Sequence, residues 1–243
     1  MSTQVEVLIP TLDERLFGEE VEKQTDIAEP ARAWDPDRFA DEQLRSLVRR
    51  VFTAGWPRPA RQVVLHPVAQ KTEIEDLSLR IARTLAHQVR ASICVVETSP
   101  LCAQPDTTFG RTLADPPSPP EKSDAARQSS RQIEEQVWQL PLQAFLGEQS
   151  DRWSAAWLRG RLAQLRRDFD YTLLLAPAAE LSDAGALLGQ LSDGVILVLQ
   201  AQRTHRLAAR KVRSDLQAAQ AKLLGAILME RTFPVPESLY RRL

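Results

Sequence analysis

Two hydrophobic rhythms alternate along the chain. Apolar residues three and four apart mark helices, and short unbroken apolar runs mark strands buried on both faces. Phe39, Leu44, Leu47, Val48 and Val51 form the first helical stripe, over about 37–52. Gly55-Trp56-Pro57-Arg58-Pro59 ends it. A strand is predicted at 62–66, then a helix at 73–90 with Leu77, Ile81, Leu85 and Val89 four apart, then a strand at 92–97. After a break, a short strand is predicted at 136–140 and a helix at 151–168, carrying Trp153, Trp157, Leu158, Leu162 and Leu165. Strand 171–176, helix 182–191, strand 194–200, helix 204–221 and strand 223–229 follow, and 231–243 is a tail.

Thr172-Leu173-Leu174-Leu175 and Val195-Ile196-Leu197-Val198-Leu199 do not alternate with polar residues. Strands of that kind, interleaved with helices, predict an α/β fold: a three-layer α/β/α sandwich around a mainly parallel sheet. Ligands in such sheets bind at the carboxyl ends of the strands.

Two stretches fall outside this rhythm. Residues 1–37 are acidic and polar, with Pro10, Pro30 and Pro36, and are expected to be a disordered leader. Residues 103–132 are expected to be a proline-rich loop, centred on Asp115-Pro116-Pro117-Ser118-Pro119-Pro120. The domain proper is therefore expected over 38–240.

Composition narrows the function classes. A net charge of −1 in 243 residues gives no global reason to expect nucleic acid as a partner. Cys94 and Cys102 are not at metal-ligand spacing, and Cys94 lies in the apolar run Ile93-Cys94-Val95-Val96. It is expected to be a buried small residue in a reducing compartment. His66, His87 and His205 follow no metal spacing either; His66 merits attention because it ends a strand. The start of the chain lacks a basic, then apolar, targeting pattern, and no stretch reaches the roughly 18–20 apolar residues of a membrane span.

The loop after the first predicted parallel strand carries the most information. It reads Pro67-Val68-Ala69-Gln70-Lys71-Thr72-Glu73-Ile74-Glu75-Asp76, and no glycine occurs between Gly55 and Gly110. A phosphate-binding loop needs glycines for close backbone approach, a Lys for the phosphates and a Ser/Thr for Mg²⁺. Here three carboxylates, Glu73, Glu75 and Asp76, stand where a polyphosphate would lie. Reading Gln70-Lys71-Thr72 as a displaced Gly-Lys-Thr would ask Gln70 for backbone geometry that glycine gives freely.

The C-terminal half resembles the bacterial polysaccharide-biosynthesis tyrosine autokinases, relatives of the MinD/ParA-like P-loop ATPases. Phe169-Asp170-Tyr171-Thr172-Leu173-Leu174-Leu175-Ala176-Pro177-Ala178 is similar to the family's Tyr-Asp-Tyr-Val-Ile-Ile-Asp-Thr-Pro-Pro. Ser182-Asp183-Ala184, Ser192-Asp193-Gly194-Val195, Arg203-Thr204 and Leu224-Gly225-Ala226-Ile227-Leu228 match further stretches. Upstream, Glu42-Gln43-Leu44-Arg45-Ser46-Leu47 resembles the family's Glu-x-x-Arg-x-x-Arg oligomerisation helix, with Val48 at the last Arg position and Arg49 beside it. The resemblance therefore implies an interaction helix over 38–53 carrying Glu42, Arg45 and Arg49.

The same alignment puts the family's phosphate-loop lysine on Ile74 and its flanking glycines on Lys71 and Glu73. Its second-strand carboxylate falls near Glu97, its metal-holding Asp on Leu175 and its base-reading Asn near Met229-Glu230, while its tyrosine cluster is reduced to Tyr240. What remains is a vestigial site near Lys71, Thr72, Ile74, Glu97, Leu175 and Asp183, with Glu97 and Asp183 expected to face it. Phosphoryl transfer rests on positioning and electrostatic stabilisation by the missing groups.

The expectation is a non-catalytic pseudo-kinase or pseudo-ATPase, with no metal and no cofactor, acting as a regulatory or scaffolding subunit in exopolysaccharide or capsule biosynthesis. Expected partners are a second copy, an intact kinase paralogue, or the cytoplasmic end of a polysaccharide chain-length-determining membrane protein. The expected location is the cytoplasm, peripheral to the membrane through such a partner. Two alternatives stand beside it. One is a residual ATP- and Mg²⁺-dependent tyrosine kinase using Lys71, Thr72 and Glu97. The other is a MinD/ParA-like positioning factor using Arg203, Arg206, Arg210 and Arg213, a basic stripe that otherwise reads as a solvated helix face.

Overall fold

The structure is a computed structural model that describes residues 5–8, 36–53, 59–70, 72–98, 125–146 and 155–230. Among them the strands are β1 (Val5–Leu8), β2 (Gln62–Pro67), β3 (Ile93–Glu97), β4 (Arg131–Glu134), β5 (Val137–Leu140), β6 (Tyr171–Leu175), β7 (Gly194–Gln200) and β8 (Leu223–Met229). The helices are α1 (Pro36–Val48), α2 (Ile74–Val89), α3 (Ala125–Ser129), α4 (Leu142–Leu146), α5 (Ala155–Asp168), α6 (Ala184–Leu191) and α7 (Arg206–Ala218). A π-helical turn, Arg49–Thr53, continues α1.

The described strands form one sheet in the order β1-β8-β7-β2-β6-β3-β5-β4. The inner pairs are parallel, and β1 on β8 and β4 on β5 are antiparallel edges. Alternate strand residues feed two cores. Val63, Leu65, Val95, Leu173, Leu175 and Val198 pack with Leu44 and Leu47 of α1 and with Ile74, Leu77 and Ile81 of α2. Val64, Cys94, Leu174 and Leu197 pack on the other face with Phe145, Leu158, Leu162, Leu188, Val212 and Leu216 of α4–α7. The result is the expected three-layer α/β/α sandwich. β2 sits at the topological switch: the chain leaves β2 toward β3 on one side, and leaves β6 toward β7 on the other.

Two expectations are corrected. The leader over 1–37 is not without regular structure, because Val5–Leu8 pairs antiparallel with Ala226–Met229 and closes the edge that β8 would otherwise leave open. The loop expected over 103–132 likewise holds α3 and the first two residues of β4 at its end. Residues 1–4, 9–35 and 103–124 lie outside the described residues.

The amino ends of the central strands are fastened by two aspartates. Asp193 accepts hydrogen bonds from the Arg61 and Gln62 N–H groups, both at 2.8 Å, and from Arg166 Nη2 at 2.7 Å. Burial alone would push its carboxyl up, but these donors outweigh it and hold it below the usual carboxylate range. Asp170 accepts from the Ser92 N–H at 2.9 Å and the Ser92 hydroxyl at 2.7 Å, which lower it too. Gly194 follows from close approach: a Cβ there would lie 2.7 Å from the Lys222 carbonyl oxygen.

Candidate functional site

A cleft of about 430 Å³ opens at the carboxyl ends of β2 and β6, beside the switch point. Pro67, Gln70 and Thr72 to Asp76 line one wall, and Ala176, Pro177, Ala178 and Leu181 the other. Its chemistry is acidic. Glu73, Glu75 and Asp76 line it, all exposed, and among the described residues the lining carries no Lys or Arg. Lys71 lies outside the described residues.

The loop between β2 and α2 is held as a compact turn. The Thr72 N–H reaches the Ala69 carbonyl at 3.3 Å, and the buried Thr72 hydroxyl donates to the same carbonyl at 2.9 Å. The Gln70 N–H donates across the cleft to Glu180 Oε2 at 3.2 Å. None of the described loop residues has a positive φ. A phosphate-cradling nest needs alternating right- and left-handed backbone, which these described residues do not provide.

Ile74 in the cleft wall and Leu175 beneath it are 5% and 2% exposed and belong to the same buried apolar cluster. Apolar packing thus occupies the positions that the alignment gives to a lysine and a metal-holding aspartate. Glu97 pairs in register with Leu175, but its carboxylate accepts a hydrogen bond from Gln139 Nε2 and does not line the cleft. Asp183 is exposed at the start of α6, makes no side-chain cap and does not line the cleft either. The expectation that both carboxylates face the site is therefore corrected. Of the site residues read from the sequence, Thr72 and Ile74 come together in the cleft wall, with Leu175 beneath.

His66, the residue before the last of β2, lies under the cleft and is 2% exposed. Its Nδ1 lies 3.0 Å from the Pro177 carbonyl, so in the neutral ring Nδ1–H donates and pins the turn after β6. Burial lowers its pKa to about 4, against a smaller opposing effect of that hydrogen bond. Burial also pushes the Cys94 thiol up, with Asp168 adding to it, so this cysteine is inert. Among the described residues no cluster of three His, Cys, Asp or Glu is placed to hold a metal, and no helix is long and apolar enough to cross a membrane.

A second groove, of about 350 Å³, lies between α1 and α2. Asp41 and Arg45 line one side, and Arg80, Arg83, Thr84, His87 and Gln88 the other. Arg80 pairs with Asp41 at 3.0 Å, and Arg83 with Glu134 at 2.6 Å. Glu42 and Arg45 of α1 and Arg49 of the π-helical turn are all exposed, and of the three Arg45 lines the groove. The sequence reading missed the α2 wall, although Arg80, Arg83 and His87 recur at the helical spacing that would have revealed it.

No family model and no curated protein matches the sequence. Solved structures do match in shape. The tyrosine kinase domain of BceF superposes with a TM-score of 0.52 at 17% identity, over 78% of this chain and 77% of that one. The VpsO kinase domain gives 0.53 at 17%, over 79% and 96%. A ParA-family ATPase from Chlorobium tepidum gives 0.51 at 11%, over 69% and 72%. The fold is that of a P-loop NTPase-like α/β domain. At these identities the likeness shows the fold alone. In this P-loop NTPase-like fold, the cleft described above occupies the switch-point position where such sheets take their ligands.

Proposed function

We propose that the chain is a non-catalytic relative of the bacterial tyrosine kinase domains, a regulatory or scaffolding subunit in exopolysaccharide or capsule biosynthesis. One observation carries the reading: Ile74 and Leu175 are buried in a single apolar cluster under a cleft lined by Glu73, Glu75 and Asp76. A magnesium nucleotide does not fit this donor set. The carboxylates repel phosphate, Leu175 offers no metal ligand, and the Thr72 hydroxyl is committed to Ala69. The motif resemblance at 169–228 supports the polysaccharide setting, and the similarity in shape to tyrosine kinase domains supports the fold that it implies.

Thermal unfolding with Mg²⁺ and ATP or ADP tests it. A ligand at a hundred times its dissociation constant stabilises the native state by about 2.7 kcal/mol, which would raise the melting temperature by about 5–10 °C for a domain of this size. The expected shift is nil, and a Mg²⁺-dependent rise overturns the reading.

A scaffolding role needs a surface, and the groove between α1 and α2 supplies one with Arg45 at its lip. Its partner would be a second copy, an intact kinase paralogue or the cytoplasmic end of a chain-length-determining membrane protein. Arg45→Glu would place a carboxylate beside Asp41 and alter the groove's charge pattern. The expected result is a smaller species in sedimentation or loss of the paralogue from a pull-down, with the melting temperature kept. Unchanged mass and unchanged capture would remove Arg45 from the interface.

A further inference from the structure

The outer face of α7 has a composition that the rest of the molecule does not explain. Residues 203–222 carry six Lys and Arg against one carboxylate, in a chain whose net charge is −1. Val212 and Leu216 bury the inner face of α7 against the sheet. Arg206, Arg210, Arg213 and Gln217 recur three or four apart on the exposed side. The carboxylate, Asp215, is taken by Lys211 at 3.0 Å. Arg203, Arg210 and Arg213 are exposed and make no ion pair among the described residues.

In the same face stands Leu207, 77% exposed. Arg210 and Lys211 lie one turn further along, adjacent to it on the helix surface. A leucine held out to water among cations suits a surface that is anionic at its boundary and hydrocarbon just beneath. It adds nothing to a phosphate backbone, whose recognition needs only the cations.

We propose that the outer face of α7 docks onto an anionic phospholipid surface, with the arginines at the headgroups and Leu207 at the acyl boundary. The geometry permits this without obstructing the rest of the molecule. α7 packs in the core on one side of the sheet and α1 in the core on the other, so the α1–α2 groove would face away from the membrane. The inference stands independently of whether the cleft takes nucleotide.

The full chain would be floated with vesicles of phosphatidylcholine alone and of phosphatidylcholine mixed with phosphatidylglycerol, at low and high salt. Each basic residue near an anionic leaflet contributes roughly a factor of five in partitioning. The expected result is recovery with the mixed vesicles only, reversed by salt. Replacing Arg203, Arg210 and Arg213 together by Ala is expected to weaken partitioning by roughly a hundredfold at unchanged melting temperature. Leu207→Ser, a separate surface change, is expected to lower it further in salt. Failure of the wild-type chain to bind mixed vesicles at low salt overturns the proposal. So does undiminished binding by the triple variant, or tighter binding to duplex DNA than to vesicles at matched salt.

Discussion

Leu175→Asp is expected to destabilise the domain by about 3–5 kcal/mol and to leave it without a nucleotide response. In a working site of this fold, the family resemblance puts a metal-holding aspartate at this position. Here the side chain is 2% exposed and packed in the cluster that contains Ile74, Leu77 and Ile81. Its own carbonyl is already engaged, accepting from the Thr98 N–H at 3.1 Å and the Thr98 hydroxyl at 2.6 Å. A carboxylate there would meet aliphatic side chains, and desolvation would raise its pKa. The sign follows: the folded pKa lies above the unfolded one, so the deficit is full near neutral pH and shrinks as pH falls. Leu175→Val, which only trims the cluster, is expected to cost about 1 kcal/mol. Urea unfolding of both variants, repeated with Mg²⁺ and ATP, separates the cases. A Leu175→Asp protein as stable as the wild type, and further stabilised by Mg²⁺ and ATP, would mean that one substitution reinstates the metal site. The acidic lining and the engaged Thr72 hydroxyl would then not be enough to keep nucleotide out.

How far the sequence revealed this arrangement depended on how each feature is encoded. The runs 172–175 and 195–199 were legible as strands because burial on both faces leaves them apolar apart from Thr172. The α2 stripe was legible because Leu77, Ile81 and Leu85 all face one core. β1 was not, since four residues of edge strand owe their existence to the open side of β8. β4 was hidden for the same reason: Arg131–Glu134 is exposed or half-exposed throughout, and its pairing comes from β5. The position of the cleft and its carboxylates could be read from the loop at 67–76 directly. The fates of Glu97 and Thr72 could not, because Gln139 is 42 residues from Glu97, and a threonine's local bond to Ala69 leaves no pattern. Asp170 and Asp193 teach a different lesson. They belong to the most specific motif matches, yet they fasten the amino ends of the central strands, at the end of the sheet opposite the cleft. Part of the resemblance therefore reports how this sheet is fastened and carries no chemistry.

His66 and Gly185 form the second place where a small change has a large expected effect. The neutral His66 ring is wedged between its bond to Pro177 and the backbone of α6, so closely that a Cβ on Gly185 would lie 2.3 Å from Cε1. Gly185→Ala is therefore expected to cost about 2–3 kcal/mol, since the ring cannot retreat without giving up its carbonyl partner. In a His66→Ala background the obstruction is gone, and the same substitution should turn neutral or stabilising by up to about 1 kcal/mol through helix propensity. This reversal of sign is what a double-mutant cycle by urea unfolding would read. Equal effects in the two backgrounds would sink the wedge. The buried ring also makes stability depend on pH. Its pKa is lowered from 6.5 to about 4, so the unfolded chain takes up the proton first. The contribution is intact above about pH 6.5 and is lost as pH falls toward 4, a deficit of about 3 kcal/mol. The carbonyl that His66 holds belongs to Pro177, a cleft-wall residue, so protonation would strain the cleft and the core together. His66→Gln, which cannot titrate, is expected to flatten the stability profile between pH 6.5 and 4. A wild-type profile already flat across that window would mean that the ring is open to water.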